Sequence, residues 1–173
     1  NLTSFSSGFF RMSIARDYIE RRRWDHSWQT PDLVFYEDGI STTVSVEKWG
    51  TSYAMKNNGK VDASSEGDMP TQIGVGILPL LLYGTERAPK VALVGFGSGV
   101  TAGSITQFPI ASLEVVELEP AIYRASRFFE GVNHRPLENK LVTARVGDGR
   151  NFLSQRKDLF DVIISQPSNP WIT

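Results

Sequence analysis

The spacing of apolar positions changes character along the chain. Phe10, Ile14 and Tyr18 recur every fourth residue, the stripe of a helix that Ser4 or Ser6 can cap and that ends at Arg21, Arg22 and Arg23. Cations at a helix C-terminus favour its dipole; contact with an anionic membrane surface is the alternative use of the same cluster. From Asp32 the period falls to two, with Ile40, Thr42, Val44 and Val46 alternating with Ser41, Thr43, Ser45 and Glu47. Such alternation marks half-buried strands, and Asp38-Gly39 and Asn58-Gly59 are type I′ turn dipeptides between them. A small antiparallel meander is therefore predicted. A polar, glycine-containing joint from Ser64 to Met69 follows, and the domain boundary is placed there, with residues 1–68 on one side and 69–173 on the other.

Beyond the joint, Pro70 suits a first helical turn, and Gln72 leads a helix apolar on nearly every face from Ile73 to Leu82. Such a helix is expected to be buried. Four short runs then read as strands: Val91 to Val94, Ser112 to Leu118, Lys140 to Val146 and Phe160 to Ser165. Between them lie helical segments from Val100 to Gln107, from Pro120 onward, and from Arg150 to Gln155. Strand and helix alternating with short links predict right-handed crossovers and a parallel sheet, hence an α/β fold.

The candidate chemistry sits where the strands end. The first run stops at Gly95-Phe-Gly-Ser-Gly99, a glycine turn that opens a helix and directs free N–H groups to one spot. The dinucleotide fingerprint would need glycine at position 100, which is Val100, so NAD is disfavoured. A tight structural turn without ligand is the alternative to a nucleotide site at these glycines. The second run delivers Glu117 to a strand end roughly 20 residues after the first glycine, where a carboxylate can take both ribose hydroxyls. The third ends in Gly147-Asp148-Gly149, with helix capping the alternative use of Asp148, and the fourth in Gln166-Pro-Ser-Asn169-Pro-Trp171. Gln72, at the mouth of its helix, is either a cap or a ligand contact.

Composition narrows the picture. A net charge of −1 gives nucleic acid no electrostatic reason to bind. The absence of cysteine excludes disulfides, thiolate metal sites and cysteine nucleophiles. His26 and His134 lack ligand spacing, so no metal is expected. The longest apolar run, Ile73 to Tyr83, is too short to span a bilayer and contains Pro79, and no signal-peptide pattern is present. The chain starts at Asn1 and stops at Thr173 just past a candidate site loop, whereas sheets of this type continue; a fragment of a longer protein is expected.

From about Val44 to Pro170 the chain resembles the spermidine synthase family of polyamine aminopropyltransferases. The resemblance rests on Gly95-Phe-Gly-Ser-Gly99, Val116-Glu-Leu-Glu119, Gly147-Asp-Gly149 and Asp161-Val-Ile-Ile-Ser-Gln-Pro-Ser-Asn-Pro170. It looks closest to the bacterial branch fused to membrane segments, on the ending Ser168 to Trp171. The resemblance implies a methyltransferase-type Rossmann-like sheet behind an N-terminal helix and small β domain. As substrate it implies S-adenosylmethionine or its decarboxylated form. It places Gln72 near the methionine-derived part, Gly95 and Gly97 under the nucleoside, Glu117 on the ribose and Asp148 on the adenine amino group. Ser98, Gly99 and Gly149 complete the candidate binding set, and Gln166 and Asn169 are the candidate catalytic pair. A diamine acceptor, a homodimer mate and a membrane portion of the same full-length chain are the partners it suggests, in the cytoplasm or at the inner membrane.

Three positions depart from the family. An acid is usual where Ser98 stands, two acids are usual where Gln166 and Asn169 stand, and Thr71 replaces a tyrosine. A carboxylate can gather an ammonium group and take its proton, whereas an amide can do neither. Four functions therefore compete: aminopropyl transfer releasing methylthioadenosine; a lyase in which the carboxylate of intact S-adenosylmethionine attacks its own chain to give homoserine lactone; methyl transfer; and non-catalytic sensing.

Overall fold

The computed structural model describes residues 31–84, 86–157 and 159–166. The expected helix through Phe10, Ile14 and Tyr18, the arginines at 21–23, His26 and Asn169 lie outside the described residues.

Four antiparallel strands, β1 (Asp32–Asp38), β2 (Thr43–Trp49), β3 (Ser52–Asn57) and β4 (Lys60–Ser64), form one sheet in that order. The alternation in β2 buries Val44 and Val46 completely, against Met55 of β3. The polar positions do not face water as the alternation suggests: Ser45 and Glu47 are buried too, and Glu47 takes a 2.7 Å ion pair from Lys56 of the neighbouring strand. Asn58 and Gly59 have φ of 48° and 78°, the two-residue turn their identity predicts. Asp38-Gly39 does not make such a turn. The β1–β2 link is a longer loop closed by Gly39 N–H donating to the Thr42 carbonyl at 3.0 Å, and Ile40 at its tip is 95% exposed. The Glu119 carboxyl group packs directly on Gly39, and that contact shapes the loop.

The chain then forms α1 (Met69–Tyr83), β5 (Lys90–Val94), α2 (Val100–Ile105), β6 (Ser112–Glu117), α3 (Pro120–Ala125), two short 3-10 turns, β7 (Val142–Val146), α4 (Gly149–Ser154) and β8 (Val162–Ser165). The second sheet is parallel, in order β7-β6-β5-β8. Its inner strands β5 and β6 bury Val91, Leu93, Leu113 and Val115. The helix predicted to be buried on nearly every face is not: α1 buries Gln72, Gly76 and Leu80, while Leu78, Leu81 and Leu82 are 59%, 59% and 88% exposed. The reason is a single buried stripe at four-residue spacing, whose small Gly76 lets the α2 backbone approach at Thr101.

The two sheets share one apolar cluster that runs from Val44 and Met55 to Leu93, Ile122 and Phe129. Tyr53 of β3 bridges Phe128 and Phe129, ring centroids 6.2 and 6.1 Å away. Arg124 of α3 pairs with Glu37 of β1 on the outside of this joint.

Candidate active site

In the parallel sheet, Val94 of β5 pairs with Val116 of β6 and with Ser165 of β8, and Glu117 pairs with Val146 of β7. All four strands therefore end along one line. From β5 the chain adds β6 and then β7 on one side, then crosses to place β8 on the other side of β5, so the strand order reverses beside β5, where open α/β sheets place their ligand crevice. A cleft of about 770 Å³ occupies this edge, with the strand ends on one side and the β3–β4 hairpin on the other.

Gly95, Gly97 and Gly99 have φ of 90°, 56° and 84°, the left-handed region where a side chain is strained; this conformation turns β5 into α2 within five residues. The turn is tied on both sides. Gly95 N–H donates to the Val116 carbonyl at 2.9 Å, and Gln166 N–H donates to the Val94 carbonyl at 2.8 Å, placing Gln166 beside Gly95 at the β5–β8 switch. Beneath it Asn133, 2% exposed, donates from Nδ2 to the carbonyls of Ser98 (2.9 Å) and Ser126 (3.1 Å) and accepts from Arg135 N–H at 2.9 Å. Its amide is thus used on three sides to hold the loop. Gly103 leaves room for this segment, because a Cβ there would run into the Asn133 carbonyl.

Glu117 accepts Phe96 N–H at 2.8 Å on Oε2 and Glu119 N–H at 3.1 Å on Oε1. The carboxylate is thus fixed at the cleft wall with one lone pair of each oxygen engaged. Asp148 caps α4 through Asn151 N–H at 2.9 Å and also lines the cleft, so capping and lining are not alternatives at this residue. Gln72, 3% exposed, lines the cleft with its amide held at both ends: Nε2 donates to the Ser64 carbonyl at 3.0 Å and Oε1 accepts from the Ser98 hydroxyl.

The cleft thus brings together Gln72, Gly95, Gly97, Glu117, Asp148, Gly149 and Gln166 of the sequence-predicted set. Ser98 and Gly99 are not on its wall; Ser98 is 1% exposed, acts on the site through Gln72, and Gly99 starts α2 behind it.

Two contributors were not foreseen. Glu119, 3% exposed, accepts Ser41 N–H at 3.0 Å and Ser41 Oγ at 3.2 Å on Oε2, and Ala121 N–H at 3.5 Å on Oε1. One side chain thereby caps α3 and holds the β1–β2 loop against the cleft. Burial by itself raises its pKa, but the hydrogen bonds from Ser41, Ala121 and Ile40 outweigh this and hold the carboxyl below its ordinary range. The β4 side contributes Asp62, between Lys60 Nζ at 2.9 Å and Asn57 Nδ2 at 2.7 Å. The signal available for Glu119 was its place before Pro120, the position of an N-cap. Phe96 stacks on Tyr123 at 4.8 Å, and burial first, then the Glu117 charge, pushes the Tyr123 hydroxyl pKa well up, so it stays protonated and donates to the Arg145 carbonyl at 2.9 Å.

Across the lining stand five carboxylates, from Asp62, Asp68, Glu117, Glu119 and Asp148, against the two cations Lys60 and Arg150. A pyrophosphate is poorly served by such a wall, and a cationic ligand well. Among the described residues no cluster of three or more side chains could hold a metal ion, and no helix is long and apolar enough to cross a membrane.

The chain is similar in sequence and fold to known proteins. The chain is 29% identical over 114 residues to a spermidine synthase of Dictyostelium discoideum, covering 65% of this chain and 39% of that protein. It is 26% identical over 152 residues to a polyamine aminopropyltransferase of Sodalis glossinidius (strain morsitans), covering 84% of this chain and 52% of that protein. The spermidine synthase of Thermotoga maritima superposes with a TM-score of 0.71 at 14% identity over 80% of this chain and 47% of that one. In sequence and in fold, the chain is similar to spermidine synthases and polyamine aminopropyltransferases. A spermidine synthase solved with the transition state analogue AdoDATO shares the fold as well, with a TM-score of 0.70 at 14% identity, over 78% of this chain and 47% of that one. No family model matches. The chain spans 39% to 53% of the length of the Dictyostelium, Sodalis and Erwinia tasmaniensis relatives it matches.

Proposed function

We propose that this chain carries the nucleoside half of an aminopropyltransferase site, binding an S-adenosylmethionine-type sulfonium and releasing methylthioadenosine. The observation that carries the reading is the anionic cleft at the strand ends, where Glu117, Asp148 and Gln166 surround the glycine turn. In this reading Glu117, already oriented by two backbone N–H groups, takes the ribose hydroxyls on its remaining lone pairs. Asp148 receives the adenine amino group, Gly95 and Gly97 allow close approach of the nucleoside, and Gln72 faces the aminopropyl side. Residues 1–68 and 69–173 are the two units between which the ligand lies, and the ending Ser168 to Trp171 is our ground for the membrane-fused branch.

An acceptor amine attacks the carbon next to the sulfonium, its lone pair forming the new C–N bond as the C–S bond breaks and the electron pair stays on sulfur. The amine's proton needs a base. Gln166 supplies only hydrogen bonds. That neutrality is the one observation favouring the lyase, in which an intramolecular carboxylate replaces the amine and the proximity advantage is large.

The test is methylthioadenosine release by the complete protein from intact or decarboxylated S-adenosylmethionine, with and without putrescine. Gln166→Glu should raise putrescine-dependent release by about 10²-fold, the scale of a positioned general base. A rise without putrescine would support the lyase; S-adenosylhomocysteine would mean methyl transfer; equal turnover of wild type and variant would remove Gln166 from the chemical centre.

A further inference from the structure

The base and ammonium anchor missing at Gln166 can be sought among the five carboxylates of the cleft by asking which has an oxygen to spare. Glu117 gives one oxygen to Phe96 N–H and the other to Glu119 N–H. Glu119 gives both to the loop and to α3. Asp62 has Lys60 on one oxygen and Asn57 on the other. Asp148 caps α4 with one oxygen and has the Arg150 guanidinium 3.8 Å from the other.

Asp68 differs. It occupies the N-cap position of the long helix α1, yet its side chain makes no capping hydrogen bond. Aspartate at this position ordinarily turns its carboxylate onto the N–H groups of the first turn. Here Oδ1 turns back to Ser64, accepting its N–H at 2.8 Å and its hydroxyl, while Oδ2 has no partner among the described residues. Asp68 lines the cleft four residues before Gln72, one helical turn away on the same face, and Ser64 joins the two, since the Gln72 amide donates to its carbonyl.

We propose that Asp68 is the carboxylate that receives the cationic amine of the acceptor, a diamine, and takes its proton, doing from the α1 wall what Gln166 cannot do from the β8 wall. This rests on the aminopropyl-transfer reading. The diamine enters with an ammonium group against Asp68 Oδ2; the nitrogen that attacks loses one proton to that oxygen, the new C–N bond forms, and methylthioadenosine leaves with the C–S electron pair.

The experiment measures putrescine binding by calorimetry to the complete protein loaded with methylthioadenosine, together with putrescine-dependent turnover, for wild type, Asp68→Asn and Asp68→Glu. Asparagine keeps an oxygen for Ser64, so methylthioadenosine affinity should stay within about twofold. Putrescine affinity should fall at least about tenfold and turnover about 10²-fold in Asp68→Asn, with partial recovery in Asp68→Glu. Asp68-dependent putrescine binding without methylthioadenosine formation from either sulfonium would leave the ammonium site standing and remove the transfer reading. The proposal is overturned if the loaded wild type binds no putrescine, if Asp68→Asn binds and turns it over like wild type, or if the variant loses methylthioadenosine affinity in equal measure.

Discussion

Glu119→Gln isolates the charge that fastens the β1–β2 loop to the parallel-sheet half. The wild-type carboxylate serves Ser41 N–H and Oγ with one oxygen and Ala121 N–H with the other. An amide offers one accepting and one donating end, so in either orientation one backbone N–H faces an NH2 group and loses its acceptor. Because the side chain is only 3% exposed, water does not replace that bond, and an unsatisfied buried donor costs about 1–3 kcal/mol. The pH dependence carries a second signature. The folded-state pKa of Glu119 is lowered, so its contribution is fully present above the unfolded-state value, about 4.3, and is lost as pH falls through the lower folded value. Destabilisation by the substitution should therefore be largest near neutrality and shrink in acid. Urea unfolding of both proteins at about pH 7 and about pH 3.5 measures this, and methylthioadenosine titration should show weaker binding because Ser41 and Thr42 line the cleft. A difference below about 0.5 kcal/mol at neutral pH, or an equal loss at both, would refute the reasoning.

Glu117→Ala should cost about 2–4 kcal/mol of methylthioadenosine affinity by calorimetry, since two charge-assisted hydrogen bonds to the ribose are at stake, and wild-type affinity in the variant would reject the ribose assignment. Gly103→Ala sets a Cβ against the Asn133 carbonyl, backbone that cannot swing aside, and should destabilise by about 3 kcal/mol in chemical denaturation, the upper end for overpacking.

Much of the parallel half was legible because its signals are local. Val91 to Val94 and Ser112 to Leu118 each carry two valines and a strand end marked by glycine or acid, and each became a strand within a residue of its expected limits. What failed was decided at a distance. Asp38-Gly39 has the composition of a tight turn, but the Glu119 carboxyl group, 78 residues from Ser41 in sequence, sets that loop instead. The continuous apolar run of α1 suggests burial all round, yet only the stripe of Gln72, Gly76 and Leu80 meets the sheet side. Asn133 gives no sequence sign of its role, because an asparagine after a 3-10 turn reads as an ordinary loop residue, and its three hydrogen bonds appear only once the glycine turn folds over it.

The distribution of charge in the cleft links these tertiary contacts to chemistry. On the β5–β8 side the departures from the family are neutral: the Ser98 hydroxyl is spent on Gln72, and Gln166 carries an amide. On the opposite side, acids that no strand-end motif announced come from β4 and the start of α1, Asp62 and Asp68. Asp62 is balanced by Lys60 at 2.9 Å, whereas Asp68 faces no cation among the described residues, so the uncompensated negative charge of that wall is concentrated at the mouth of α1, beside Gln72. On that wall a cation is therefore drawn to Asp68 rather than to Asp62, since an unpaired carboxylate attracts at full strength while a paired one is largely cancelled within a few ångströms. On the proposal made for Asp68, the amine approaches from the α1 wall, where the neighbouring Asp62 is already neutralised by Lys60 and Asp68 is not.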